Sequence, residues 1–185
     1  MKIALILNSF PKTSETFIFN KVKELSSKGN EITLIVHAPS SEILNFNTDS
    51  NPILNIVHLY KRRISLNLVL MGLWVTLSRN TNLETTDKTF TVRRGLKHFF
   101  VSQREKGLLL LLQGCQIVHF EYSGIAVTYR RLIPPLCKMT KVVVSCRGSA
   151  ELVVPILQAE RKAALVEVLN HVDLIHCVSG HISLE

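Results

Sequence analysis

Residues 1–37, MKIALILNSFPKTSETFIFNKVKELSSKGNEITLIVH, decide the fold of this chain. Residues 2–7 are a continuous apolar run, which is typical of a strand buried on both faces of a parallel sheet. After a polar turn, residues 15–28 carry apolar side chains at helical spacing, and Gly29 ends the helix. Residues 31–37 are a second apolar run. The order predicts a βαβ unit with its ligand site at the carboxyl end of the first strand.

The loop after the first predicted strand lacks two common nucleotide-binding signatures. It has no G-x-G-x-x-G pattern, and no G-x-x-x-x-G-K-[ST] occurs anywhere in the chain. It offers instead the hydroxyls of Thr13, Ser14 and Thr16 beside Lys12, at a helix start where free backbone N–H groups favour an anion. Thr13 or Ser14 could also simply cap the helix. The two roles are compatible, and the sequence leaves both open.

Composition predicts one folded domain with a sizeable core. The chain has 185 residues, of which 46% are hydrophobic and 19% charged, and this balance argues against disorder. A strand-like run begins at residue 2 without a cleavage site, so we expect no signal peptide. The four cysteines form no C-x-x-C pair and no metal-ligand spacing, so we expect reduced, buried thiols and an intracellular protein.

The net charge of +8 indicates an anionic partner. No RNA-binding signature occurs, so nucleic acid is not the expected partner. Residues 64–77 are strongly apolar beside Lys61, Arg62 and Arg63, but this run is too short to span a bilayer. It predicts a helix that is either buried in the core or docked on a membrane surface.

The rest of the chain repeats the alternation of strands and helices. Strands are predicted over 55–60, 115–120, 141–146 and 172–179, and helices over 92–112, 125–138 and 155–170, with Pro134 and Pro135 interrupting the second of these helices near its end. This pattern predicts an α/β fold: a Rossmann-like, doubly wound, mostly parallel sheet with helices on both faces. In the usual strand order 3-2-1-4-5-6, the loops over 9–16, 119–124 and 146–151 line one crevice.

Four segments of the chain resemble a known enzyme family. FPKTSETFI over residues 10–18, with the helix and strand after it, is similar to the start of bacterial family-4 (group 1) glycosyltransferases of the GT-B fold, in the branch associated with exopolysaccharide and colanic-acid synthesis. VHFE over 118–121, VSCRGSAE over 144–151 and DLIHCVS over 173–179 match later family segments in order and spacing. Most of the wider family has a Gly-Gly pair where this chain has Ser14-Glu15-Thr16.

The resemblance implies the amino-terminal, acceptor-side domain of a retaining, metal-independent glycosyltransferase. Such an enzyme moves a sugar from a nucleotide-sugar donor, its co-substrate, to a glycan or lipid-linked acceptor, and needs no other cofactor. Residues 1–183 would be one half of the GT-B fold, and residues 184–185 a tag remnant. The donor-binding half, with its E-x7-E motif, is absent from this chain, so the isolated domain should be nearly inactive. The implied location is cytoplasmic, with a peripheral contact at the inner face of the membrane left open.

The resemblance also selects candidate site residues. His119 and Arg147 are the predicted catalytic residues, and the predicted substrate-binding residues are Ser14, Glu15, Thr16, Glu121, Gly148 and Glu151. Arg147 stands where the family has a histidine, and arginine cannot act as a base but can clamp a phosphate. From the residues alone, Arg147 could also be a solvent-facing loop residue and His119 a core histidine. Glu121 could be an ordinary loop carboxylate.

A second function from another class fits the same pattern. A non-catalytic, Rossmann-like module could bind a nucleotide or phosphate in the same crevice. The two hypotheses differ in whether the coding sequence continues into a second Rossmann-like half that carries E-x7-E.

Overall fold

The computed structural model describes residues 1–12, 15–38, 40, 54–59, 62–77, 103–180 and 182. Thr13 and Ser14, and with them the predicted capping interaction, lie outside the described residues. So do residues 78–102, which include the beginning of the helix predicted over 92–112.

Six parallel strands form one sheet in the order β3-β2-β1-β4-β5-β6. Their bounds are β1 Lys2–Leu7, β2 Glu31–Val36, β3 Leu54–His58, β4 Ile117–Phe120, β5 Lys141–Cys146 and β6 Leu174–Cys177. The predicted α/β, doubly wound, Rossmann-like architecture is confirmed, as is the strand order. The observed β4 and β6 are shorter than predicted, whereas β5 has the predicted bounds.

Helices connect the strands and cover the sheet. They are α1 Thr16–Ser27, α2 Arg62–Leu77, α3 over residues 103–112, α4 Ser123–Thr128, α5 Ile133–Cys137, α6 Ser149–Leu152, α7 Val154–Leu157 and α8 Ala159–His171, with a 3-10 turn at Arg130–Leu132. Gly29 ends α1 with a φ of 76°, a conformation that glycine adopts without steric cost.

Two predicted helices prove to be broken. The helix predicted over 125–138 divides into α4, the 3-10 turn and α5, and the expected interruption at Pro134 and Pro135 is wrong. Both prolines lie in the first turn of α5, where a missing N–H costs no intrahelical hydrogen bond. The helix predicted over 155–170 divides at Gln158, whose backbone is extended, with a φ of −136° and a ψ of 100°.

The core lies on both faces of the sheet, because side chains alternate along each strand. On one face, Ile18 and Val22 of α1 pack on apolar residues of β1 and β2 such as Leu5 and Leu34. The other face is larger. There the central strands pack against α3, α4, α5 and α8.

Helix α2 contains the apolar segment predicted over 64–77. Its Leu68 is buried, while Leu66, Leu70, Trp74 and Leu77 are exposed along one side. Within the part of the chain that the structure describes, no helix is both long and apolar enough to cross a bilayer. Docking of this helix on a membrane surface stays a prediction.

Two glycines allow α2 and α3 to cross closely. A Cβ atom placed on Gly107 would lie 2.0 Å from the Leu68 carbonyl oxygen, and one placed on Gly72 would lie 1.9 Å from the Gln103 carbonyl oxygen. Both neighbours are backbone atoms, so neither can move aside without displacing a helix. The contact therefore requires glycine at both positions.

Gly107→Ala should destabilise the protein although alanine is the better helix former. In an open helix the change would add up to about 1 kcal/mol of stability. Here the backbone clash should instead cost about 1–3 kcal/mol in the free energy of unfolding, measured by urea denaturation. Gly124→Ala in α4 is the control, since its Cβ would meet only Arg161 Nη2 at 3.8 Å. Equal stabilities of the two variants would contradict the close helix contact.

Candidate functional site

An open cavity of about 410 Å³ lies at the carboxyl edge of the sheet, between the segments that follow β1, β2 and β4. It lies at the point where the strand order reverses, as predicted for the crevice, but no described residue of the loop over 146–151 lines it. The cavity is lined by Asn8, Lys12, Glu15, His37, Tyr122, Gly124, Ile125 and Thr128. Its lining combines an amide, an ammonium, a carboxylate, an imidazole and hydroxyls, so it can both donate and accept hydrogen bonds.

A buried carboxylate lies beside this cavity. Glu121 follows β4 directly, and its side chain is fully buried. Its Oε1 lies 2.5 Å from Lys21 Nζ, and its Oε2 accepts a hydrogen bond of 2.9 Å from Arg147 Nη2. Burial alone would raise the pKa of this carboxyl, but the two cations outweigh that effect and hold the pKa below its ordinary value. Glu121 is therefore an ionised, doubly paired buried group rather than an ordinary loop carboxylate.

Arg147 is fixed by contacts on several sides. Its Nε donates to the backbone carbonyl of Glu121 at 2.8 Å, in addition to the bond from Nη2. The guanidinium carbon lies 4.3 Å from the centre of the Phe17 ring and 5.5 Å from that of Tyr122, within cation–π distance. The side chain is only 19% exposed. Arg147 is thus held at the carboxyl edge of β5 and is not a solvent-facing arginine.

His119 belongs to a hydrogen-bonded chain that crosses the sheet. Lys21 Nζ lies 2.8 Å from its Nδ1, its Nε2 lies 2.8 Å from Ser145 Oγ, and Ser145 Oγ lies 3.0 Å from Nδ1 of the exposed His176. Because an ammonium can only donate, Nδ1 of His119 accepts and Nε2 carries the proton. Burial, aided by the nearby cations, lowers the pKa of His119 to about 4, so the ring is neutral at pH 7.

Lys21 links the ion pairs of Glu121 to the hydrogen-bonded chain through His119, since its ammonium contacts both side chains. Burial lowers its pKa below the ordinary value, although the adjacent Glu121 carboxylate opposes this effect. The helix α1 therefore contributes a cation to the site in addition to closing one side of the core.

Glu151 holds the turn after β5. Its Oε2 accepts hydrogen bonds from the backbone N–H groups of Arg147 at 3.1 Å and Gly148 at 2.8 Å, and its Oε1 accepts one from the Ser123 hydroxyl. Gly148 has a φ of 134°, a backbone conformation that residues other than glycine rarely adopt. Substrate contact by Glu121 or Glu151 would replace these internal contacts, and that predicted role stays a prediction.

The start of α1 provides two further predicted residues. Glu15 occupies the N-cap position without a side-chain cap bond, pairs with Lys12 at 3.2 Å and lines the cavity. Burial, with the nearby Glu15, raises the pKa of Tyr122, so its hydroxyl stays protonated. Thr16 is the exposed first residue of α1. Ser14 lies outside the described residues.

Sequence reasoning identified His119, Glu121, Arg147, Gly148 and Glu151, which the fold does bring together. It missed Lys21, Tyr122, Ser145, His37 and His176. One signal pointed to Lys21, which lies three residues after Ile18 and four before Leu25 on the apolar side of α1. Ser145 similarly interrupts the apolar run of β5.

Among the described residues, no group of three or more His, Cys, Asp or Glu side chains could hold a metal ion. Neither a protein-family profile nor a curated protein sequence matches this chain.

Because His119 is buried and neutral, it should make the stability of the folded protein depend on pH. Its pKa is about 4 in the folded protein and 6.5 in the unfolded chain. The unfolded chain therefore binds more protons between these values, so stability should fall as pH drops from 6.5 to 4. The difference between the two pKa values of His119 corresponds to about 3 kcal/mol in the free energy of unfolding. Urea denaturation across this range should show a smaller loss in His119→Gln than in the unchanged protein.

The control for this measurement is His171→Gln, which alters an exposed histidine of α8. It should retain the full pH dependence. If His119→Gln loses as much stability on acidification as the unchanged protein, His119 is not a buried neutral group.

Proposed function

We propose that this chain is the acceptor-side domain of a retaining glycosyltransferase that transfers a sugar from a nucleotide-sugar donor to a glycan or lipid-linked acceptor. One observation carries the proposal: the cavity and the Glu121–Arg147 pair lie side by side at the carboxyl edge of the sheet, around Tyr122. The four sequence segments that resemble family-4 glycosyltransferases supply the class of reaction.

The cavity has the chemistry that a sugar requires. Hydroxyl groups of sugars both donate and accept hydrogen bonds, and the Asn8 amide and the Glu15 carboxylate provide both kinds of partner. The Tyr122 ring adds an apolar surface. The volume of about 410 Å³ lies within the range of small-molecule sites. We propose that this cavity binds part of the acceptor.

Arg147 is the residue best placed to meet a donor phosphate. A guanidinium has five N–H donors, and its hydrogen bonds to described residues involve only Nε and Nη2. Its remaining donors suit a phosphate, which arginine binds through parallel hydrogen bonds. The Glu121 carboxylate and the two aromatic rings fix the guanidinium before substrate arrives, which lowers the entropic cost of binding.

We assign His119 a positioning role rather than direct proton transfer. Both of its ring nitrogens have internal partners, so a proton could reach a substrate only after Lys21 or Ser145 moved. Its Nδ1 holds the ammonium of Lys21, which in turn pairs with Glu121. Its effect on a reaction would therefore pass through Arg147.

The complete site requires a second, donor-binding domain, because transfer needs donor and acceptor held together. The coding sequence downstream of residue 185 tests this directly. A second Rossmann-like half with E-x7-E is the expected result.

Peripheral contact with an anionic membrane would bring the domain to a lipid-linked acceptor. It rests on the exposed side of α2, and equal flotation with anionic and neutral vesicles would exclude it.

A nucleotide- or phosphate-binding module without catalysis is the second candidate. The observation that favours it is the internal pairing of His119 and Glu121, which occupies both potential proton-transfer groups. Nucleotide binding by this chain, without a second domain downstream and without sugar transfer, would support it instead.

Arg147 variants test the glycosyltransferase proposal in a protein that carries both domains. Arg147→Lys keeps the charge beside Glu121 but loses the forked geometry, so it should fold and still lose turnover. Loss of a charge-assisted contact in a closed cleft costs on the order of 2–4 kcal/mol. Complete removal of the guanidinium should therefore lower kcat about a hundred- to a thousandfold in a transfer assay with labelled nucleotide sugar.

Complete removal has a structural side effect that the design must avoid. Arg147→Ala alone would leave Glu121 with one partner fewer, so the change is combined with Glu121→Gln, which removes the buried charge. Arg130→Ala, at an exposed ion pair with Glu167, is the control and should keep normal turnover. Near-normal activity of Arg147→Lys and of the double variant would show that Arg147 does not act on a substrate.

A further inference from the structure

Two thiols face each other at the carboxyl ends of β5 and β6. Cys146 and Cys177 are register partners in these parallel strands, so their side chains lie on the same face of the sheet. Both cysteines are free, and their thiols lie close enough for Cys177 to contribute to the raised pKa of Cys146. Neighbouring strands lie about 4.8 Å apart, which falls within the Cα separations that disulfides span. No movement of either strand to a new register is needed to join them.

We propose that Cys146 and Cys177 form a reversible disulfide site that is oxidised by a small-molecule disulfide such as glutathione disulfide. The two thiols differ in access: Cys146 is buried, with 3% of its surface exposed, whereas Cys177 is partly exposed. Cys177 is therefore the thiol that meets the oxidant, and Cys146 is the thiol that resolves the intermediate.

The reaction consists of two thiol–disulfide exchanges. The Cys177 thiolate attacks one sulfur of glutathione disulfide, forming a mixed disulfide and releasing one glutathione thiolate. The Cys146 thiolate then attacks the Cys177 sulfur, which forms the protein disulfide and releases the second glutathione. Two protein thiols are oxidised, one glutathione disulfide is reduced to two glutathione thiols, and the two protons pass through water to the leaving thiolates.

The second exchange should limit the rate. Burial, together with the nearby Glu151 carboxylate, raises the pKa of Cys146 to about 12, so little thiolate is present at neutral pH. The rate of closure should therefore rise with pH. The bond would also join the ends of β5 and β6 one residue before Arg147, and so restrict the start of the loop that carries the guanidinium.

The remaining cysteines provide an internal comparison. Cys115 precedes β4 and Cys137 ends α5 shortly before β5, so both lie toward the amino edge of the sheet, opposite the proposed pair. Cys137 donates a hydrogen bond to the His171 carbonyl at 3.2 Å. Both are half-buried, as Cys177 is, so exposure alone would not select Cys177.

The test treats the reduced, folded 185-residue chain with glutathione disulfide at about pH 8, where thiol exchange is efficient. Alkylation after unfolding should then label two cysteines instead of four. The intact mass should fall by two hydrogen atoms, and trypsin should release residues 142–147 joined to residues 163–185. Cys115→Ser/Cys137→Ser should give the same product. Cys146→Ser should stop at a glutathione adduct on Cys177.

Three results would overturn the proposal. One is a folded chain that retains four alkylatable cysteines or keeps a glutathione adduct on Cys177 without closing. Another is a principal bridge that contains Cys115 or Cys137. The third is the same pairing, formed equally fast, in a chain unfolded in concentrated urea, because geometry would then play no part.

Discussion

The carboxylate of Glu121 is buried at the end of β4, and cations from two other elements meet it there. Lys21 reaches it from α1 and Arg147 from the loop after β5. A buried charge without partners would cost several kcal/mol, so this carboxylate constrains where both cations lie. Through them it also orients Nδ1 of His119 and places the guanidinium of Arg147 beside the Phe17 ring. The candidate site is in this sense organised around one negative charge.

The parallel sheet brings Glu121, Lys21 and Arg147 close together. In the observed strand order, β4 lies between β1 and β5, so the turn after β4 is flanked by the loops of both neighbours. The loop after β1 and the helix α1 supply Glu15 and Lys21. The loop after β5 supplies Arg147, and Glu151 accepts hydrogen bonds from the backbone of that loop. The cavity opens on the β1 side of this cluster and the two thiols lie on the β6 side. Three features with different chemistry thus share one edge of the sheet.

The sequence predicted the sheet and its order because buried parallel strands are continuous apolar runs, and right-handed crossovers leave few topologies. It does not predict the helix ends, since the pattern favours a break at Pro134, whereas proline also suits a first helical turn. The convergence of His119, Glu121 and Arg147 followed from strand order. Their partners did not, since a lysine such as Lys21 is usually solvated, and only its contacts with His119 and Glu121 show that it lies partly buried in the site.

Unfolding free energies of Lys21→Met and Arg147→Met, measured with and without Glu121→Gln, test most directly whether one carboxylate organises the site. With Glu121 in place, each substitution leaves a buried charge short of a partner and should cost about 3 kcal/mol. In the Glu121→Gln background most of that cost should disappear, which gives a large coupling energy. If both substitutions cost the same in the two backgrounds, the buried ion pairs do not hold the site together, and the account is contradicted.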